Sequence, residues 1–237
     1  MKGLIVAIQF LTRLPMPRVA VSEQDFARSM RWFPGVGLIV GAIVAGGVWL
    51  GARIDPWVGA LAGLALWVGV TSALHLDGLG DIADASGAAH KDRERLLAVL
   101  ADPHVGSFAV VAIGLQLLAK LILLRAALDA GLWASIVTIP FAARIGPLGW
   151  TRLLPPLHAG LAARFTDSVR WTDIVVWMIL LAGSAWFAPA MLAAPILMLL
   201  WAAWLRRRLG GISGDGHGAG IELMESALLL AALIVAA

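Results

Sequence analysis

Apolar residues in this chain come in runs close to twenty long, separated by short polar stretches rich in Gly, Pro, Asp and Arg. A helix that crosses a bilayer needs roughly 20 predominantly apolar residues. Seven stretches meet that need, at about 33–52, 56–75, 105–125, 131–150, 172–188, 189–205 and 219–237. The fifth and sixth are short and meet at Ala188-Pro189 with almost no loop. Residues 4–14 and 22–32 read as short amphipathic or re-entrant helices at the surface. The leading apolar run is interrupted by Gln9, is followed by Thr12 and Arg13, and lacks an A-x-A cleavage site. It is therefore read as a retained segment and not as a signal peptide.

Composition strengthens this picture. Of 237 residues, 60% are apolar and 14% charged, against about 45–50% and about 25% in a soluble domain. Mean hydropathy is +0.88. The absence of cysteine excludes a disulfide-stapled secreted scaffold, and the apolar content excludes disorder. The expectation is an all-α, polytopic membrane helix bundle of about seven spans, forming a single integral membrane domain over residues 1–237. No separate soluble domain, linker or internal repeat is visible.

The formal net charge is only +3, so where the charges fall matters more than their sum. Fourteen of the 18 Lys and Arg fall on one side of the seven-span reading: Lys2 to Arg31, Lys91 to Arg95, Arg152 to Arg170, and Arg206–Arg208. The other side holds Arg53 and Arg125, while Lys120 and Arg144 fall inside spans. By the positive-inside rule the N-terminus is cytoplasmic and the C-terminus outside. Trp32, Trp49, Trp57, Trp133, Trp150, Trp171 and Trp186 sit near span ends, as an interfacial belt would. Gly37/Gly41, Gly47/Gly51 and Gly59/Gly63 are small pairs that permit close helix packing.

The acids carry more chemistry. The chain reads His75-Leu-Asp77-Gly-Leu-Gly-Asp81-Ile-Ala-Asp84 and continues to Asp102-Pro-His104. At about 100° per residue, Asp77, Asp81 and Asp84 share an arc of roughly 60° on one helix face. Such carboxylates repel one another unless a cation lies among them. Mg²⁺ favours a few carboxylates completed by water and phosphate oxygens. The alternative is a solvated acidic face; the abutting membrane span and the apolar residues between the aspartates weigh against it. His75 reads as a ligand, a phosphate partner or a span-end cap.

A second polar stretch runs from Gly210-Gly211-Ile212-Ser213-Gly214-Asp215 to Gly220. Its glycines let backbone N–H groups approach a phosphate, or simply make a flexible turn. The following span places Glu222 and Glu225 on one face, where acids are functional candidates. Lys120 and Arg144 stand as their partners or as ligands of substrate phosphate. Lys120 can snorkel, whereas Arg144 near a span centre is harder to explain structurally.

In this order the pieces resemble one family, cobalamin synthase, the adenosylcobinamide-GDP ribazoletransferases of bacteria and archaea. The resemblance runs from Phe10-Leu-Thr-Arg-Leu-Pro-Met-Pro17 and Phe33-Pro-Gly-Val-Gly37 through His75–Asp84, the Asp102…Gly106 turn, Lys120 and Arg144. It ends with Gly210–Asp215 and Ile221-Glu222-Leu-Met-Glu225. The chain departs from the usual pattern at Asp102-Pro103-His104, where the family has Asp-Ser-Arg, at Ala143, and at Gly160-Leu161-Ala162.

The resemblance implies the last joining step of cobalamin assembly. The hydroxyl of α-ribazole, or of its 5′-phosphate, attacks the corrinoid-bearing phosphorus of adenosylcobinamide-GDP, and GMP leaves. It implies Mg²⁺ as cofactor, held by Asp77, Asp81 and Asp84, with Asp102 a further ligand or the base. His75, Lys120 and Arg144 would act in catalysis, the two cations on phosphate charge. Gly211, Gly214, Asp215 and Glu222 would hold the nucleotide or a second metal. The implied setting is the bacterial inner membrane with the site facing the cytoplasm. Its implied company is the two substrates, the lipid bilayer, other late corrinoid enzymes and an oligomeric partner, but no nucleic acid. Two rival readings are a CDP-alcohol phosphotransferase and a divalent-cation or solute transporter. The first lacks its D-G-x-x-A-R pattern here, and the second would spread ionisable groups over the midplane of two related halves.

Overall fold

The computed structural model describes residues 2–88, 93–102, 104–157, 161–166 and 168–237. Two amphipathic segments come first, α1 (Lys2–Leu11) and α2 (Glu23–Ser29), the latter running through a 3-10 turn (Met30–Trp32) into α3 (Phe33–Gly51). Then follow α4 (Pro56–Thr71), α5 (Leu74–Ala88), α6 (Arg93–Leu100) and α7 (Ser107–Asp129). The second half contains α8 (Trp133–Ala143), α9 (Gly146–Leu153), α10 (Leu161–Phe165) and α11 (Trp171–Ser184). A 3-10 turn (Pro189–Ala193) leads into α12 (Ala194–Arg208), and α13 (Gly214–Ala236) closes the chain. Among the described residues, β-pairing is limited to one isolated bridge between Pro156 and Ile212.

The class is as expected, but the count of seven spans is not reached. Among the described residues, four helical stretches are long and apolar enough to cross a membrane: Glu23–Gly51, Ser107–Asp129, Pro189–Arg208 and Gly214–Ala236. A fifth results if α4 and α5, bent by 84°, are taken as one. That bend replaces the straight span expected at 56–75. Ser72 and Ala73 both adopt positive φ, 53° and 56°, which turns the chain sharply after α4. The stretch at 131–150 divides into α8 and α9 around Arg144, with Pro147 at the start of α9. A proline there has a ring and no N–H, so it begins a helix more readily than it continues one. The stretch at 172–188 yields only the 14-residue α11.

Polarity is inverted relative to a water-soluble helix. On α7, Val111, Leu115, Leu118 and Ile122 form an exposed stripe at helical spacing, while Gln116 and Lys120 point inward and are buried. Apolar outside and charged inside is the arrangement a bilayer solvates. The small pairs do what their spacing suggested. α3 packs on α8 so closely that a methyl at Gly37 would lie 2.4 Å from the Pro140 carbonyl oxygen. The same helix meets α4 through Gly51 and Gly59. Trp49, Trp57, Trp171 and Trp186 are exposed as a belt requires. Trp150 is a correction to that belt: it is fully buried, and its indole N–H donates to the Met198 carbonyl oxygen at 2.9 Å.

Candidate active site

The two glycine-rich stretches, some 140 residues apart in the chain, meet face to face. α5 packs lengthwise on the first half of α13. The approach is possible only because each helix lacks side chains at the contact. A methyl at Gly78 would lie 2.8 Å from the Asp215 carbonyl oxygen, and one at Gly218 would lie 3.3 Å from the His75 carbonyl oxygen. Asp77, Asp81, Asp84 and Asp215 are thereby gathered so that Asp81 lies in the field of the other three. Gly78→Ala should push the helices apart and cost about 1–3 kcal/mol, as overpacking does. Gly69→Ala, which adds a methyl where nothing lies within 4 Å, should be neutral or stabilising. Melting temperatures of the two variants in detergent check the contrast.

A cleft opens at this junction and encloses roughly 620 Å³ of free space, its mouth included. One wall is polar: His75, Asp77, Gly78, Gly214, Asp215 and His217. The lining also carries the apolar Phe10, Met30, Phe33 and Phe165. Phe10 and Phe33 stack at 5.9 Å between centroids, and Phe33 meets Phe165 edge-on at 6.0 Å. The first turn of α13 is capped by Ser213, whose hydroxyl accepts from Gly216 N at 3.0 Å. Gly214 and Asp215 in that turn line the cleft, and the positive end of a helix dipole favours an anion.

Behind the polar wall lies a fully buried ionic network. Lys120 Nζ donates to Glu222 Oε2 at 2.6 Å and to Glu225 Oε2 at 2.5 Å. Arg144 Nη1 donates to Glu225 Oε1 at 2.8 Å and to the Pro140 carbonyl oxygen at 3.0 Å. Gln116 Nε2 donates to the carbonyl oxygen of Glu222 at 2.7 Å and to its Oε2 at 3.0 Å. Two cations and two anions balance. The ammonium of Lys120 also sits 4.4 Å above the Trp67 ring, a favourable place for a cation. Of the two roles open to Lys120 and Arg144, the structure realises partnership with the glutamates.

The network reaches the cleft through one contact, Arg144 Nη2 to His75 Nδ1 at 3.4 Å. A guanidinium can only donate, so Nδ1 accepts and the proton of the neutral imidazole sits on Nε2. That Nε2 is buried and has no hydrogen-bond partner among the described residues. His217 is similar: its Nε2 lies 3.3 Å from the Thr151 hydroxyl, and its Nδ1 has no partner among those residues.

The other expected site residues are placed differently. Both oxygens of Asp84 are occupied, accepting from Gly106 N at 2.7 Å and Ala109 N at 3.0 Å. Asp84 thus caps α7, whose N-cap position is a glycine with no side chain to do so. Asp102 is exposed and accepts from the His104 backbone N at 3.0 Å, with His104 Nδ1 at 2.6 Å from the same oxygen. These contacts hold its carboxyl below the usual carboxylate range. Pro103 lies outside the described residues. Gly211 packs against the Pro155 carbonyl oxygen, and Ile212 N donates to that same oxygen at 2.9 Å, so this part of the loop is fixed. Glu222 belongs to the ionic network and does not line the cleft. Sequence reasoning missed Met30 and Phe165 as cleft residues; a lone apolar side chain in an apolar run carries no signal beyond packing.

The sequence comparisons concern the chain as a whole. Residues 3–233 match the cobalamin-5-phosphate synthase family. An adenosylcobinamide-GDP ribazoletransferase of Novosphingobium aromaticivorans is 63% identical over 238 residues, 99% of this chain and 97% of that protein. Those of Laribacter hongkongensis and Thiobacillus denitrificans are 54% and 49% identical, covering 99% and 98% of this chain and 97% and 95% of theirs. No solved structure matches the chain. Since the match takes in every helix that builds the cleft and the network behind it, the chain belongs to the cobalamin-5-phosphate synthase family.

Proposed function

We propose that this protein joins α-ribazole, or its 5′-phosphate, to adenosylcobinamide-GDP with release of GMP. The observation that carries the reading is the junction of α5 and α13, which brings carboxylates, a helix start, the His75 imidazole and aromatic rings to the lining of one cleft. The ribazole oxygen forms a bond to the corrinoid-bearing phosphorus, the bond from that phosphorus to the GMP oxygen breaks, and the hydroxyl proton is lost. Such a transfer is accelerated mainly by positioning and by neutralising phosphate charge. His75 Nε2–H donates to a phosphate oxygen, and the N–H groups at the start of α13 receive another. Arg144 holds the imidazole in the tautomer that donates. The aromatic rings accept the planar base of the ribazole. The family match favours this reading over a CDP-alcohol phosphotransferase or a transporter.

The donor set suits Mg²⁺. Asp77, Asp81 and Asp215 offer only hard oxygens, and Asp77 and Asp215 line the cleft in which a diphosphate would bring more. That fits an ion that keeps waters and completes its shell with phosphate oxygens. When bound there, Mg²⁺ neutralises charge on the diphosphate. Purified protein given adenosylcobinamide-GDP, α-ribazole phosphate and Mg²⁺ should release one GMP per corrinoid joined, and EDTA should stop it. Well-folded protein that releases none overturns the proposal.

The cleft opens to the cytoplasm in this proposal, with the protein in the inner membrane. Arg125 lies 5.5 Å from the Trp57 ring, so the α3–α4 and α7–α8 turns, which hold the few cations of the opposite side, share one end of the bundle. In intact cells an impermeant thiol reagent should label Asp129→Cys but not Arg207→Cys. The reverse pattern would invert the topology.

A further inference from the structure

Arg28, Arg31 and Arg170 line one groove beside Gly3, Asp25 and Trp32, enclosing roughly 640 Å³ of space open to solvent. Lys2 is matched to Asp25, Arg125 to Asp129, Arg164 to Glu23 and Arg144 to Glu225. Among the described residues, the three groove arginines form no ion pair. Of the acids beside them, Asp25 is taken up by Lys2 at 2.6 Å and by the Ser22 hydroxyl at 2.8 Å, and Asp173 accepts from the Arg170 backbone N at 3.1 Å as the cap of α11. Arg31 spends only its Nε, on the Arg28 carbonyl oxygen at 3.1 Å, which leaves both terminal amino groups for a ligand. Three like charges around one groove repel unless an anion lies among them.

The level of the groove in the fold says which anion. Arg31 and Trp32 belong to the turn that begins the apolar α3, and Arg170 directly precedes the apolar α11. Trp32 and Trp171 are exposed at those two boundaries, the depth at which tryptophan marks lipid headgroups. The turn is tied to α11 by Trp177, whose indole N–H donates to the Arg31 carbonyl oxygen at 2.7 Å. The groove shares no lining residue with the catalytic cleft, although Met30, next in the chain, lines that cleft.

We propose that this groove binds the phosphate headgroup of an anionic phospholipid such as phosphatidylglycerol, and that the bound lipid braces α2, the turn and α11 against one another. The inference is independent of the reaction assigned to the cleft. Native mass spectrometry of the full chain, released from vesicles of equal phosphatidylglycerol and phosphatidylcholine, tests it. Phosphatidylglycerol should be retained in preference. Each of Arg28→Gln, Arg31→Gln and Arg170→Gln should weaken retention about fivefold, from about 1 kcal/mol per arginine at a lipid surface. Arg206→Gln/Arg207→Gln removes two charges away from the groove and should leave retention unchanged. Melting temperatures in phosphatidylcholine alone identify variants that keep their fold, and the exposed Arg28 supplies the mildest. The proposal is overturned by equal retention of the two lipids, by groove variants that retain phosphatidylglycerol as wild type does, or by an equal loss in the Arg206/Arg207 variant. Displacement of the lipid by millimolar inorganic phosphate would likewise overturn it, marking a free-phosphate site instead.

Discussion

Arg144→Met is expected to destabilise the folded protein by about 3–5 kcal/mol, the usual cost of leaving a buried charge without its partner. In the native network Lys120 and Arg144 balance Glu222 and Glu225, and all four side chains are buried. Without the guanidinium, two carboxylates share one ammonium in a medium that solvates neither. The double variant Arg144→Met/Glu225→Met restores the balance, leaving Lys120 with Glu222, and should recover more than half of the loss. Reversible unfolding in mixed micelles measures both. A single variant costing under about 1 kcal/mol, or a double variant no better than the single, would remove charge balance as the explanation.

The largest effect on turnover is expected at Asp81. Asp81→Asn keeps the size of the side chain and removes one negative charge from the group formed with Asp77, Asp84 and Asp215. GMP formation should fall by at least about a hundredfold, with the Mg²⁺ concentration for half-activity raised. Stability should hold or rise, since the variant relieves repulsion among carboxylates. Asp84→Asn should behave differently. It disturbs the cap on α7, and about 1 kcal/mol of stability goes with it. Normal turnover in Asp81→Asn at ordinary Mg²⁺ would sink the metal assignment, leaving the aspartates a solvated acidic face.

Much of this arrangement was legible in the chain because the bilayer imposes strong rules. Long apolar runs, an exposed tryptophan belt and glycine pairs four residues apart each have one dominant physical cause, and the packing of α3 on α4 and α8 follows from them. Buried Glu222 and Glu225 required cations, and only Lys120 and Arg144 lay inside other spans. The number of crossings was less legible. Hydropathy averages over some twenty residues, so it registers neither two consecutive positive-φ residues at Ser72–Ala73 nor the break at Arg144. Helical spacing put Asp84 on the same face as Asp77 and Asp81, but it carried no information that an α7 amide pair would approach that carboxylate. The apolar lining of the cleft was hidden for a different reason: Phe10, Phe33 and Phe165 come from three distant segments, and only the tertiary fold brings their rings together.

The ionic network also sets an order of events while the chain is being made. Lys120 and Arg144 leave the ribosome roughly a hundred residues before Glu222 and eighty before Glu225 respectively. Each must therefore enter the translocon with no counter-charge yet synthesised, at a cost of about 2.5–3.5 kcal/mol on insertion scales for a central charge. The apolar residues of α7 repay this for Lys120. The short, interrupted α8 and α9 have less to offer Arg144, so full insertion of this segment is expected to wait for α13. A nascent chain halted before Gly214 has neither glutamate and lacks the cleft residues that α13 supplies, Gly214, Asp215, His217, Gly218 and Ile221.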